Sequence, residues 1–361
     1  MKTDDLYIDA IELLRKLVAK PSFSGQEDAT ANLIEAFLQD RAVSTFRKFN
    51  NIFCYNLHFD HAKPTVLLNS HHDTVRPSQA YTKDPFFPEI HEGKLYGLGS
   101  NDAGGALVSL IATFLYFFKR RDLPFNLCLA ATAEEENSGE KGLKCVLREL
   151  LPISFAIVAE PTNMQMAVAE RGSMVLDCKS FGRSGHAARE EGDNAIYRAL
   201  RDIQWFSSYK FPVESAAMGP VKMTVTEVKA GIQHNIIPAE CSFTVDVRLT
   251  DAYTEKEMLH IIQNHTFCEF TVRPGVLRPS CIDHLHPIVQ TGVSIGRSVY
   301  TSPTSSDQGW LDMPSVKMGP GESARSHTAD EFIYLEEIRE GIDIYIRLLE
   351  SLFPYLLNGH A

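Results

Sequence analysis

Between residues 173 and 273 the chain reads strand (173–181), helix (192–208), strand (221–229), strand (239–249), helix (254–264) and strand (267–273), and no other feature constrains the fold as tightly. This β-α-β-β-α-β order is that of the ferredoxin-like split unit, which buries a core of its own. The flanking sequence follows a different rule. Ile8, Ile11, Leu14 and Val18 stand at helical spacing, and Pro21 and Gly25 separate them from a second amphipathic run over 27–38. Short runs rich in β-branched and aromatic residues follow at 52–57, 65–70, 126–132, 154–159 and 164–169, with helical stretches at 103–120 and 139–150 between them. Alternation of this kind predicts a mostly parallel sheet sandwiched by helices. The α/β pattern resumes near Pro287 and closes with an amphipathic helix over 333–352. The expected architecture is a discontinuous α/β domain, residues 1–171 and 286–361, with an inserted α+β domain over 172–285. A length of 361 residues suits two domains.

Composition narrows the partners. Thirty-five Lys and Arg against 46 Asp and Glu give a formal charge of -11, which repels nucleic acid and anionic lipid surfaces on average. Neither is an expected partner. The acidic start MKTDDLYIDAIELL lacks the basic and apolar regions of an export signal. The longest apolar stretch, Ala103 to Phe118, has 16 residues, short of the roughly 20 a membrane span needs, and reads as a buried helix. Seven cysteines at 54, 128, 145, 178, 241, 268 and 281, without a CxxC pair, predict reduced thiols and a cytoplasmic protein.

Ionisable residues gather where predicted strands end, the place where open α/β sheets bind ligands. SHHDTV (70–75) follows Val66, Leu67 and Leu68. His71 and Asp73 share a face of the extended chain and His72 takes the other, so Asp73 can hold one nitrogen of His71 while the second binds a metal. A polar surface turn is the simpler alternative. YGLGSNDAGGA (96–106) begins like a dinucleotide fingerprint, but Asp102 stands at the third glycine position and would repel a pyrophosphate. Asp102 reads as a helix N-cap or a metal ligand. Glu134, Glu135 and Glu136 follow a buried strand and repel one another unless solvent or a cation compensates them. Glu160 in VAEPT and His327 in GPGESARSHTADE are each compatible with simple exposure. Together His71, Asp102, Glu136, Glu160 and His327 form a two-zinc inventory. Mixed nitrogen and oxygen donors suit zinc, or cobalt or manganese, better than calcium or magnesium, and a carboxylate can bridge two ions.

In this order SHHDTV, GLGSNDAGG, TAEEE, AEPT, GRSGHAA and SHTADE resemble the M20 metallopeptidase family, in particular its acetylornithine deacetylase and succinyl-diaminopimelate desuccinylase branch, over about residues 8–350. The resemblance implies a zinc-peptidase sheet with a lid and dimerisation domain inserted, and two divalent ions per chain. His71, Asp102 and Glu160 would hold one ion and Asp102, Glu136 and His327 the other. Glu135 would be the general base, with Asp73 supporting His71. His186, from GRSGHAAR, would donate to the oxyanion in the other subunit of a homodimer, and Arg248 and Asn235 would hold the substrate's α-carboxylate. Read without the resemblance, His186 is an exposed turn residue and Arg248 a surface ion-pair partner. The family usually has Asp-Glu-Glu where this chain has Glu134-Glu135-Glu136, and often Asn in place of Asp330.

The implied function is removal of an N-acyl group from an amino acid, foremost N-acetyl-L-ornithine in arginine biosynthesis. The alternatives are a succinyl-diaminopimelate or succinylornithine desuccinylase and a di-zinc dipeptidase or aminopeptidase. Two other classes compete. GVSIG (292–296) matches the G-x-S-x-G of serine hydrolases, but it falls in a predicted helix rather than a strand-turn-helix elbow. A non-enzymatic metal-loaded scaffold is opposed by the complete set of residues.

Overall fold

The computed structural model describes residues 3–189 and 191–357. The chain divides into two compact units. One comprises residues up to 169 with 281–302 and those from 306 onward, and the other comprises 170–280 with 303–305. The return to the first unit comes at Cys281, slightly before the expected 286, and just beyond it Ile282 N donates to Val168 O of that unit's sheet (2.9 Å).

Eight strands of that nine-stranded sheet run in the order Thr45–Lys48, Asn51–Tyr55, Asn126–Thr132, Thr65–His71, Phe155–Val158, Ser315–Lys317, Met166–Glu170 and Ser280–Cys281, and Val299–Ser302 also pairs with Met166–Glu170. The four central strands are parallel, and antiparallel pairs flank them. Register decides where chemistry can collect. His71 stands opposite Thr132, Asn69 opposite Val158, and Val158 opposite Lys317, so four strands end at one edge. The loops carrying Asp73, the acidic run, Glu160 and the glycine-rich segment all leave from there.

Alternation along the strands fills both faces. Val66, Leu68, Leu127, Leu129 and Ile157 meet the helices Thr3–Val18, Asp28–Gln39, Gly105–Phe117 and Leu335–Ser351. Leu67, Cys128, Ala130 and Ala156 face the other way, under Val146, Cys145 and Leu150. The helix Gly105–Phe117 is buried nearly all round, and its polar residues are satisfied internally, Ser109 Oγ donating to Gly105 O (2.7 Å) and Thr113 Oγ1 to Ser109 O (2.8 Å). The helix expected over 139–150 shrinks to Leu143–Val146. Glu134 takes the Lys141 backbone N–H on its side chain (3.0 Å), and that turn replaces the first helical turns.

The second unit has an antiparallel sheet in the order Lys222–Ala230, Glu240–Leu249, Gly172–Phe181, Glu269–Val272. Its helices Ala195–Ser208 and Glu255–His265 pack Phe206, Met258 and Ile262 against Leu176, Phe243, Val245 and Val247. Local signals set their starts: Asn194 accepts from Ile196 N, and Thr254 with Glu257 forms a capping box. Among the described residues no helix is long and apolar enough to cross a membrane.

Candidate metal centre

His71 ends the central strand and is almost wholly buried. Its Nδ1 faces Asp73 twice, with the backbone O at 3.0 Å and Oδ1 at 3.3 Å. Its Nε2 therefore points outward, with Asp102 Oδ1 at 3.3 Å, Glu160 Oε1 at 3.6 Å and Glu135 Oε2 at 3.9 Å. Asp73 is itself held from three sides: Ser24 Oγ (2.7 Å), Glu135 N (3.1 Å) and Glu136 N (3.2 Å) all donate to its carboxylate. Burial would raise Asp73, but the His71 ring and these donors outweigh it and hold the carboxyl below its ordinary range. One side chain thus orients the imidazole and fixes the backbone of the acidic run.

The run splits three ways. Glu134, at φ 54, turns back onto its own loop through Lys141 N. Glu135 faces His71. Glu136 faces His327, its Oε2 lying 2.9 Å from His327 Nε2. Asp102 Oδ2 lies 3.7 Å from the same nitrogen, so Asp102 presents one oxygen to each imidazole. The N-cap alternative for Asp102 does not hold: the helix begins at Gly105, its N-cap position is Gly104, and no side chain caps it. Gly99, at φ 76, admits this course because a Cβ there would meet Thr74 Cγ2 at 2.5 Å.

Four carboxylates thus surround one buried imidazole, and burial penalises every one. Burial, opposed by His71 but joined by Glu135's acidic neighbours, pushes Glu135 well up. Burial with Asp102 nearby takes Glu160 to about 8 despite His71, and burial raises Glu136 against its bond to His327. Asp102 runs the other way: burial is overcome by His71, Ser326 and His327, and its pKa falls. His327 rises to about 9, chiefly through Glu136. One buried oxygen, Glu136 Oε1, has no hydrogen-bond partner among the described residues. A divalent cation fits this donor set, since it would satisfy that oxygen and offset the gathered negative charge. Ligand atoms of His71, Asp102 and Glu136 lie within 4.8 Å of one another, as do those of His71, Glu135 and Glu160.

The second unit holds the other candidate residues. His186 is exposed on a two-stranded ribbon, Gly185–His186 with Ile236–Ile237, its Nδ1 accepting from Ala188 N (3.1 Å). Asn235 lies beside it, accepting Ala187 N on its backbone O (3.0 Å) while its side-chain Oδ1 has no partner among the described residues. Arg248 is forked on Asp246 at 2.8 and 2.9 Å, and its Nη1 reaches Ser305 Oγ at 3.4 Å. His72, opposite His71 as expected, is structural, bonded to Thr30 Oγ1 and Asn50 O at 2.9 Å each. Burial lowers its pKa to about 4. Ser294 of GVSIG ends the helix Pro287–Ser294, so no nucleophile elbow forms.

Sequence reasoning missed three buried acids. Asp307 accepts Thr132 Oγ1 (2.9 Å) beneath the acidic run. Glu27 accepts Asn50 Nδ2 (2.9 Å) and Glu134 N (3.3 Å). Glu331 accepts Asn101 N (2.8 Å), Asp102 N (2.9 Å) and Gly99 N (3.1 Å), and burial with Asp102 nearby takes it to about 8 against those three donors. Asp330, where the family often has Asn, clamps a turn, accepting Thr82 N and Lys83 N at 2.9 Å.

Comparison with known proteins gives a consistent result. The model of peptidase family M20/M25/M40 matches residues 67–351. A succinyl-diaminopimelate desuccinylase 2 from Ruegeria sp. (strain TM1040) is 24% identical, covering 96% of this chain and 95% of that protein. An acetylornithine deacetylase from Proteus mirabilis (strain HI4320) is 26% identical, covering 94% and 96%. Among solved structures, an M20 family metallo-carboxypeptidase from Sulfolobus solfataricus superposes with a TM-score of 0.79 at 15% identity, covering 96% of this chain and 99% of that one.

Proposed function

The chain belongs to peptidase family M20/M25/M40, metal-dependent hydrolases acting on amide bonds, and from that premise we propose that it removes an N-acyl group from an amino acid, N-acetyl-L-ornithine foremost. The observation that carries the reading is Asp102 set between two imidazoles, one oxygen toward His71 and one toward His327. His71, Asp102 and Glu160 would hold one divalent ion and Asp102, Glu136 and His327 a second, with zinc the best match to these donors and cobalt or manganese as substitutes. When bound, such ions supply Lewis-acid polarisation of the amide carbonyl and of water.

The remaining work falls to the chain's own residues. Glu135, although within reach of His71 and Glu160, stands outside both of these proposed ligand sets, so its carboxylate takes the proton of the attacking water and returns it to the leaving amine. Asp73 keeps the His71 ring turned so that Nε2 faces the site. His186 donates to the oxyanion of the tetrahedral intermediate. Arg248 and Asn235 receive the substrate's α-carboxylate, and Arg248 must then share or release Asp246. The catalytic assembly is a homodimer in which each lid's His186 serves the partner's site. The second unit supports this: Phe181, Tyr197 and Phe267 are exposed around a groove of about 690 Å³ beside the edge strand Glu269–Val272. Seven free cysteines support a cytoplasmic location.

A desuccinylase is the second reading, favoured by the Ruegeria relative's name. Hydrolysis of N-acetyl and N-succinyl forms of ornithine, citrulline, lysine and diaminopimelate by zinc-loaded protein, with dipeptides as controls, tests both. Turnover of N-acetylornithine above the others, abolished by chelation, is expected. Turnover of dipeptides alone would overturn the deacylase reading.

A further inference from the structure

Asp102 belongs to both imidazole pairs, so whatever fixes Asp102 fixes the spacing of the whole centre. Its own segment offers little stiffness. Gly99 precedes it, Gly104 and Gly105 follow, and the helix that starts at Gly105 has no side-chain cap. The restraint comes from far along the chain. Glu331 is 2% exposed, and its carboxylate accepts three amides of a single turn: Asn101 N and Asp102 N on Oε1, at 2.8 and 2.9 Å, and Gly99 N on Oε2, at 3.1 Å. Its backbone O also accepts Gly97 N (2.9 Å).

We propose that Glu331 is the positioning residue for the shared ligand, holding the Gly99–Asp102 backbone so that Asp102 meets both cations; the role rests on the two-cation reading above. The chemistry of the side chain supports this. The two oxygens of a carboxyl side chain can together take three N–H donors, as they do here, which neither a single amide oxygen nor a hydroxyl can do. The fold delivers it there by register. Phe332 pairs with Tyr96 in an antiparallel ladder, so residue 331 arrives beside the chain leaving Tyr96 for Gly97–Asp102. His327 lies on the same short segment, whose other end Asp330 ties to Thr82 and Lys83. One loop therefore carries the second imidazole and the anchor of the shared carboxylate together.

The test uses full-length protein, stripped of metal and titrated with cobalt by calorimetry and visible absorption at a temperature well below unfolding. In Glu331→Gln the amide oxygen can keep Asn101 and Asp102, but an NH2 group now opposes Gly99 N–H. Both stepwise cobalt affinities should weaken together, by about 10- to 100-fold, the usual cost of losing an outer support. Glu136→Gln is the contrast, expected to weaken one step alone. Glu331→Asp, which keeps the charge on a shorter arm, should weaken both steps by less than Gln does, and it carries the test if the Gln variant does not fold. Lower thermal stability with both affinities within twofold of wild type would make Glu331 a structural staple and overturn the proposal, as would weakening of only one step. Wild-type protein that binds no cobalt would overturn the two-cation reading itself, and this role with it.

Discussion

In the first unit His71, Asp102, Glu135 and Glu160 are drawn out of water within a few ångströms of one another. In the second unit several charges meet in pairs at or near the surface: Arg273 with Asp177 at 2.7 Å, Lys179 with Glu240 at 3.2 Å, Arg248 with Asp246 at 2.8 Å. Beneath them lies an apolar core of Leu176, Phe206, Val245, Met258 and Ile262. Exposed pairs contribute about 0–1 kcal/mol each, so these pairs cost little and gain little. Buried like charges are a liability for an empty fold. Their gathering at one sheet edge fits a first unit built around something positive, whereas the second provides surfaces: an exposed histidine, a forked arginine, the outer side of an edge strand.

The comparison is sharpened most by Glu135→Gln. Hydrolysis should fall by about 10²- to 10⁴-fold while both cations stay bound; an equal loss in Glu134→Gln, whose side chain serves its own loop, would break the division of labour within the acidic run. His186→Ala asks whether the second unit takes part in chemistry at all. A loss of roughly 10²- to 10³-fold in kcat with metal content unchanged is expected. Mixed with Glu135→Gln under subunit exchange, it should regain up to about half of the activity per heterodimer, and verified heterodimers that regain nothing would refute the shared site. Arg248→Ala should raise KM roughly tenfold or more for substrates with a free α-carboxylate and leave their amide analogues nearly unchanged. Equal loss on both would return Arg248 to a surface pair with Asp246.

The smallest effect concerns stability without metal. Glu160, at about 8, and His327, at about 9, both lie above their ordinary values of 4.5 and 6.5. The folded metal-free chain therefore binds more protons than the unfolded one, and stability from these groups is present at low pH and lost as pH rises through about 8 to 9. Thermal unfolding of chelated protein should show Tm falling between pH 6 and 9, and zinc should flatten the profile. A Tm that rises over that range would show that the carboxylates are compensated by something other than a cation.

The elements that could be read from sequence are those whose residues act through hydrophobic period. Val66 to Leu68 and Leu127 to Ala131 announce strands, and so the groups just beyond them, His71 and Glu134 to Glu136, fall at an edge on the sequence alone. Segment 139–150 misleads for the same reason. Leu143, Val146 and Leu147 have helical spacing, but nothing local reveals that Glu134 captures Lys141 N. Glu331, Asp307 and Glu27 were invisible because their partners are mostly backbone amides, with one hydroxyl and one side-chain amide, most of them far away in sequence, and a bond to a backbone N–H leaves no trace in the identity of the residue that donates it.

The strand Ser315–Lys317 lies in the middle of the first unit's sheet, between Phe155–Val158 and Met166–Glu170, yet it is made after the whole second unit. On a ribosome the inserted unit has nearly all of its partners within 170–280 and can close as soon as it emerges. The first unit must wait with Val158 and Ala167 unpaired along one side until residue 317 arrives. The pairing that ends that interval joins strands far apart in sequence, so closure of the large unit is expected to follow closure of the inserted one, and pulse-labelled hydrogen exchange during refolding should protect Val245 before Val158.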